Sequence, residues 1–471
     1  MSTPALLRIA RPQRLAFART SLARGYATEL KPNLSYQKVT HPDTEAPEST
    51  HTLIKDHSKY LLNTYIRPNL LFKKGKGLIL TDSLNREYLD FTAGIAVTAL
   101  GHSDSKINQI INDQSEKLSH SSNLYWNENA GELAKSLIEK TKQFGGLGLS
   151  SSQEEGGKVF FSNSGTEANE GALKFARAYG KLSGNPENKT EIVCFTNAFH
   201  GRSMGALSVT PNPKYQEPFQ PLIPNIKVGK YNELNQEIIN DLINENTCGI
   251  IVEPIQGEGG VGEGKIEFFQ KIAKRAREVG AVLIYDEIQC GLFRSGTMWA
   301  HSEFPIEAQP DIVTMAKPLS NGFPIGAIMV RDKIAKEISP GMHGTTFGGQ
   351  PLATAIGIHV LDRLSNPTFL SELKENSKYL DSKIRDLPKM FPKLIKDELR
   401  GRGLIRGIAF KHSETPSNLV KLARERGLLI LTAGSDAIRL VPALIVGKNQ
   451  IDHAIGIIES CLSILNEEQQ Q

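Results

Sequence analysis

The feature that most limits the fold is the spacing of six short apolar runs through the middle of the chain. They fall at 158–162 (KVFFS), 191–196 (EIVCFT), 248–252 (CGIIV), 281–285 (AVLIY), 311–315 (DIVTM) and 326–330 (GAIMV). Each is near-continuous in hydrophobic residues, the pattern of a strand buried on both faces. Amphipathic helical stretches alternate with them. The clearest, 266–279, carries Phe268, Ile272, Ala276 and Val279 at helical spacing and is followed by Gly280, which can take a left-handed helix stop without penalty. Strand, helix, strand at this spacing builds an α/β architecture: a mostly parallel sheet wrapped by helices. At 471 residues the chain has room for two or three packed units.

Residues 77–91 read as a β-hairpin, with strands 77–81 and 87–91 around a polar turn at 82–86. Residues 29–64 read as an arm with a helix near 52–63. Beyond about residue 365, two helical stretches flank short strands near 403–411 and 427–441, which suggests a smaller α+β unit. The expected division is a leader at 1–26, an arm and part of the small domain at 27–85, a large domain at 86–360 and the remaining small domain at 361–471. The stretches 143–157 and 181–190, dominated by Gly, Ser and charge, are expected as surface loops, and 466–471 as a frayed end.

Charge is concentrated at the start. Residues 1–26 hold Arg8, Arg11, Arg14, Arg19 and Arg24 and no acid; the first acid is Glu29. Those five charges exceed the net +4 of the whole chain, so the body is not basic and no nucleic-acid surface is expected. An acid-free start rich in Arg, Ser and Ala reads as a mitochondrial presequence or as a bare basic tail. Arg24 lies where a matrix peptidase would cut to leave Ala27 or a neighbour first. No run of eighteen apolar residues is present, so no membrane-spanning helix is expected. Cys194, Cys248, Cys290 and Cys461 form no C-x-x-C pair and have no His at metal-ligand spacing, which reads as free thiols and no metal.

Three motifs carry chemistry. Residues 162–170 (SNSGTEANE) follow a strand and open a helix, offering free N–H groups, a hydroxyl and a positive dipole end. That suits a phosphate, although a plain helix cap reads the same way. In 285–289 (YDEIQ), Asp286 and Glu287 end a buried strand, where α/β proteins place ligand sites; alone, the motif fits a solvated loop equally well. In 315–326 (MAKPLSNGFPIG), Lys317 ends an apolar strand and meets a compact loop. Burying an ammonium is costly unless it has a chemical task, and Schiff-base formation with an aldehyde is the leading one. Phosphate cradle, buried acid and lysine match the phosphate, ring nitrogen and aldehyde of pyridoxal 5′-phosphate.

Together with FHGR at 199–202, EPIQGEGG at 253–260, DEIQCG at 286–291 and GTTFGGQPLA at 344–353, these motifs resemble the fold-type I, class III (ω-amino acid) aminotransferases over about residues 50–465. One departure is Pro-Leu-Ser-Asn after Lys317 in place of a glycine-richer run, which stiffens the loop. The resemblance implies a large, mostly parallel sheet domain plus a small α+β domain built from the arm and the C-terminal part. It implies pyridoxal phosphate as cofactor and a homodimer with shared active sites. Lys317 would hold the cofactor's aldehyde carbon and then shuttle a proton. Asp286 would pair with the ring nitrogen and Gln289 with the phenolic oxygen. Ile288 and Phe199 would cover the two ring faces, and Glu287 is carried over with them as a cofactor residue. Gly165 and Thr166 would bind the phosphate, joined by Thr346 from the neighbouring subunit.

Arg202, with Thr345 alongside, would clamp the substrate's carboxylate. Arg439 would be a second carboxylate site and Glu258 its movable partner. Residues 91–102 (FTAGIAVTALGH) resemble the segment of the family's acetylornithine-type members, which implies N2-acetyl-L-ornithine as amine donor and 2-oxoglutarate as acceptor, with 94–97 as an apolar wall for the acetyl group. Ornithine or 4-aminobutyrate transamination and a glutamate-semialdehyde-type mutase are the alternatives. The presequence implies a mitochondrial matrix location.

Overall fold

The computed structural model describes residues 30–149, 156–183 and 189–468. The leader with its cleavage point, residues 150–155 and 184–188 of the two loop stretches, and residues 469–471 lie outside the described residues. The six apolar runs become strands whose ends fall within one residue of the expected bounds. In chain order the strands of the large sheet are β1 (Gly157–Ser162), β2 (Glu191–Phe195), β3 (Ile226–Gly229), β4 (Thr247–Val252), β5 (Val282–Asp286), β6 (Ile312–Met315) and β7 (Gly326–Arg331). Their spatial order is β1-β7-β6-β5-β4-β2-β3. All run one way except β7, which is antiparallel to β6 and β1.

Strand β3 escaped the sequence reading. It is an edge strand with two apolar residues, and its Lys227 pairs with Glu191 at 2.8 Å. An edge needs no continuous apolar run.

The layers follow from the two-residue period of a strand. Ile192, Cys194, Ile251, Val282 and Ile284 face one side, where Ala168, Ala172 and Ala176 of the helix Gly165–Ser183 pack on them. Val193, Phe195, Ile250, Val252, Leu283 and Tyr285 face the other side, against Phe268, Phe269, Ile272 and Ala276 of the helix Ile266–Val279. Gly280 ends that helix at φ 66°, as its position predicts. Each fully buried aliphatic or aromatic side chain contributes roughly 1.5–3 kcal/mol, so these two faces hold the sheet in place.

A four-stranded sheet ties the two ends of the chain together. Phe72–Lys76, Ile79–Asp82 and Glu87–Asp90 form an antiparallel meander, and Leu428–Leu429 adds to it in parallel, with Leu428 opposite Leu89. A second sheet joins Ile395–Arg402, Ile405–Phe410, Ala437–Leu440 and Leu431–Ala433, and the helices Pro367–Met390, Thr415–Arg424 and Lys448–Glu468 accompany it. The described residues from Pro32 onward form one compact unit.

Three local expectations need correction. The arm helix is Glu48–His57, earlier than 52–63. Leu147 and Leu149, expected in a surface loop, are buried in the main core, and the Leu147 N–H donates to His301 Nε2 at 3.2 Å. Their apolar side chains outweigh the glycines around them. Residues 466–468 continue the last helix instead of fraying.

Candidate active site

The sheet brings its chemistry to one edge, the carboxyl ends of the six co-directional strands. Asp286 is the last residue of β5 and is 3% exposed. Its Oδ2 accepts hydrogen bonds from His200 Nδ1 at 2.7 Å and Asn169 Nδ2 at 2.8 Å, and its Oδ1 accepts from the Ile288 N–H at 3.0 Å. Asn169 is itself fixed: it accepts from Thr314 Oγ1 at 2.8 Å and donates to the His200 carbonyl at 2.7 Å. Three elements therefore set the direction of one carboxylate. His200 and Asn169 sit inside quoted motifs, yet their part in holding Asp286 is visible only in three dimensions.

Lys317 follows β6 and opens the short turn Lys317–Ser320, closed by Asn321 in a left-handed conformation at φ 51°. Asn321 locks the turn to a distant segment, accepting from the Leu100 N–H at 2.7 Å and donating to the Gly101 carbonyl at 2.9 Å. Burial pushes the Lys317 ammonium down from its ordinary 10.5 to about 8; Arg439 adds to the effect, while Asp286, Glu253 and Glu258 oppose it. At pH 7 about a tenth of such an amine is free, against under a thousandth for an unperturbed lysine. The free amine is the nucleophilic form.

Lys317 and Asp286 border a cavity of about 250 Å³ with Gly165, Thr166, Phe199, Ile288, Gln289 and Arg202. His200, Gly201 and Glu253 complete its wall; none of the three was expected as a site residue, although each lies inside a quoted motif. The floor is shaped by close approaches. A Cβ on Gly165 would lie 2.8 Å from Ile288 Cγ2, and one on Gly201, at φ 139°, would lie 2.4 Å from Thr166 Oγ1. Thr166 Oγ1 meets Ser203 Oγ at 2.6 Å beside the start of the helix Gly165–Ser183. Buried Glu253 accepts from the Phe199 N–H at 3.0 Å, and burial together with Asp286 raises its carboxyl well above the usual range.

Two arginines flank this cavity in opposite states. Arg439, in the strand Ala437–Leu440, is 2% exposed; it donates to Glu258 Oε2 at 3.0 Å and to Gln289 Oε1 at 2.6 Å. Burial lowers its pKa, and Glu258 opposes that shift. Glu258 is partly exposed, so it is the member of the pair that can move, and an incoming anion can take its place on buried Arg439. Arg202 is exposed and has no hydrogen-bond or ion-pair partner among the described residues; its guanidinium lies 3.5 Å from the Tyr215 ring centroid.

Other expected site residues stand elsewhere. Glu287 is fully buried but turned away from the cavity, accepting from His301 Nδ1 at 2.6 Å and from the N–H groups of Ala300 and His301 at 2.9 and 3.1 Å. Thr345 receives a hydrogen bond from Asn163 Nδ2 at 3.1 Å, and exposed Thr346 does not line the cavity of its own chain. Nor does the 94–97 segment. Ala93, Gly94, Ile95 and Ala96 instead form a left-handed turn at φ 46°, 62°, 66° and 64°, with Ala96 in one buried cluster with Cys290 and Val441 and Ile95 exposed. The Asp90 carboxylate holds the turn's start, accepting from the N–H groups of Thr92 and Ala93 at 2.8 and 3.0 Å. All four cysteines are free and buried; burial pushes the thiols of Cys194 and Cys461 up to about 12 and that of Cys248 to about 11.

The fold and this site define a class of enzyme: residues 63–462 match the family of class-III aminotransferases, and the chain belongs to it. A mitochondrial acetylornithine aminotransferase of Neurospora crassa is 48% identical over 444 residues, 94% of this chain and 92% of that protein. Among solved structures, the ornithine aminotransferase of Toxoplasma gondii ME49 superposes with a TM-score of 0.79 at 27% identity, covering 89% of this chain and 96% of its own. The N-acetylornithine aminotransferase of Stenotrophomonas maltophilia K279a gives 0.72 at 28% identity, covering 88% and 100%. The cofactor of this enzyme is pyridoxal 5′-phosphate, and the cavity fits it. A helix start with no Cβ at Gly165 suits the phosphate, a fixed carboxylate suits the ring nitrogen, and a lysine with a lowered pKa suits the aldehyde.

Proposed function

We propose that this aminotransferase moves the terminal amine of N2-acetyl-L-ornithine to 2-oxoglutarate, giving N-acetyl-L-glutamate 5-semialdehyde and L-glutamate, a step of arginine synthesis. The observation that carries the reading is the pair of arginines, one open and one covered by an acid. The two amine donors of such a reaction differ at the reacting carbon: glutamate carries a carboxylate there and acetylornithine does not. Arg439 serves the glutamate side when Glu258 withdraws and is neutralised by Glu258 on the acetylornithine side. Arg202 stays available for the carboxylate at the far end of acetylornithine. The named relatives, acetylornithine aminotransferases among them, support this choice of donor.

Bound pyridoxal phosphate supplies an electron-poor ring that stores the amino group between the two halves of the reaction. Asp286, held by His200 and Asn169, fixes the ring nitrogen and its proton. Lys317 Nζ would anchor the cofactor's aldehyde and then move a proton at the reacting carbon. Phe199 and Ile288 would hold its ring, Gln289 would hydrogen-bond its phenolic oxygen, and Gly165 and Thr166 would hold its phosphate.

The functional unit in this reading is a homodimer in the mitochondrial matrix, with Thr345 and Thr346 completing the partner's site. Supporting the dimer, Asn123 bonds the carbonyls of Thr345 and Gly348, which puts Leu124, Tyr125, Trp126 and Phe347 on neighbouring segments, all largely exposed. Exposed apolar patches of this kind mark association surfaces. The word mitochondrial in the Neurospora relative's name supports the location.

The test is donor profiling of the purified protein with 2-oxoglutarate as acceptor. Acetylornithine should exceed ornithine in kcat/KM by about a hundredfold, because the α-ammonium of ornithine meets no free acid. Equal efficiencies would overturn the donor assignment, and turnover without 2-oxoglutarate would favour the mutase.

A further inference from the structure

A second chamber of about 400 Å³ adjoins the cavity and is lined by Phe199, Pro211, Asn212, Pro213, Tyr215 and Glu258, among others. Phe199 is common to both spaces, so the two chambers share a wall. Apart from Glu258 and Phe199 in its wall, nothing in the reaction so far uses the outer one. Arg202 connects them. It lines the inner cavity, while its guanidinium lies 3.5 Å from the centroid of the Tyr215 ring, which lines the outer chamber, and 5.6 Å from that of Phe199. With no hydrogen-bonding partner among the described residues, the guanidinium has the aromatic face of Tyr215 as its nearest restraint.

We propose that Tyr215 is the positioning residue for Arg202 and that the outer chamber is the subsite for the acylamino end of the donor. This rests on the reading of the reaction given above. A guanidinium laid on an aromatic ring keeps its N–H fork free at the edge, which is the geometry a carboxylate needs for two parallel hydrogen bonds. The carbon bearing that carboxylate also bears the acylamino group, and the adjoining space has a wall of Phe199, Pro211 and Pro213 for a methyl group. Asn212 Oδ1 is engaged with the Lys214 N–H, which leaves its Nδ2 for an amide oxygen. The acid in this chamber, Glu258, is bound to Arg439 and so is not free to receive an α-ammonium. Selection for an acylated over a free α-amine then arises here, and not at residues 94–97.

The probe is N-acetyl-L-norvaline, which has the carboxylate and acetamide of acetylornithine but no terminal amine and cannot react. Its binding to the holoenzyme is measured by calorimetry for the wild type, Tyr215→Leu and Tyr215→Phe. Tyr215→Leu should weaken binding about tenfold, and Tyr215→Phe, which keeps the aromatic face, should match the wild type. In turnover, Tyr215→Leu should raise KM for acetylornithine by a similar factor with kcat within about twofold. It should leave N-acetyl-1,4-diaminobutane, which lacks the carboxylate, unaffected. Wild-type binding in Tyr215→Leu, equal loss with both donors, or no rescue by Tyr215→Phe would overturn the proposal. If the wild type binds acetylnorvaline but does not turn over acetylornithine, the reaction has been misassigned while the subsite stands.

Discussion

Asp286 and Glu287 are consecutive acids at the end of one strand, both buried, each meeting the Nδ1 of a buried histidine, at 2.7 Å for His200 and 2.6 Å for His301. Their surroundings differ. Glu287 is saturated by protein: two backbone N–H groups, His301 and the Cys290 thiol, at 3.2 Å, all point at it. It ties the segment around Ala300 to the strand end. Asp286 borders a cavity. An acid becomes chemistry when it is aimed by its neighbours and still faces open space; the same acid closed on every side is a structural bolt.

Substitutions can break this contrast. The largest effect is expected for Asp286→Asn, which keeps the shape but removes the charge proposed to face the ring nitrogen; kcat of the folded enzyme should fall on the order of a hundredfold or more, beyond the loss of stability that follows from setting an amide against three donors. Steady-state kinetics and calorimetry on one preparation decide it, and an unchanged kcat would make Asp286 a bolt like its neighbour. Glu287→Gln should cost stability without the loss of kcat. Turning a four-donor acceptor into an amide should cost about 3 kcal/mol of stability, with kcat of the folded fraction within a few-fold of wild type, as read from denaturant titration beside activity.

Next in size is Glu258→Gln. It leaves Arg439 charged in both halves of the reaction, so single-turnover reaction with acetylornithine should slow about tenfold while reaction with glutamate is kept. Equal slowing in both directions would remove Glu258 as a switch. The smallest effect concerns Lys317 without cofactor. Its pKa is lowered from 10.5 to about 8, so between those values the unfolded chain holds a proton that the folded one has released. Stability of the cofactor-free protein should therefore rise with pH through that window, and Lys317→Met should flatten the rise. A pH series of melting curves for the two proteins measures the difference.

Much of the frame was legible because burial on both faces leaves a plain mark: five or six apolar residues in a row can hardly be anything else in an α/β chain. Lys317 and Asp286 were legible because polar residues at the ends of such runs stand out. Strand β3 left no mark, since an edge tolerates Lys227. Leu147 was hidden by the glycines beside it. Adjacent acids could not be told apart, because the alternation that turns Glu287 away from the cavity begins where the strand stops. The pairing of Glu258 with Arg439 joins residues far apart in the chain and came only from family resemblance. The stacking of Tyr215 on Arg202 had no sequence signal, since one aromatic in a short proline-led helical turn is ordinary.

The pairing of Leu428 with Leu89 has a consequence for the order of assembly. A chain delivered amino end first, from a ribosome or through a translocation pore, exposes the meander at 72–90 long before its last strand arrives. Asp43 likewise waits for Arg424, and the Asn33 N–H waits for Glu459. The large sheet can close from neighbours nearer in sequence, but this edge stays open until nearly the whole polypeptide has emerged. Its completion is a late, long-range event, and the open edge of the strand Glu87–Asp90 is the place where a holding chaperone would be needed most.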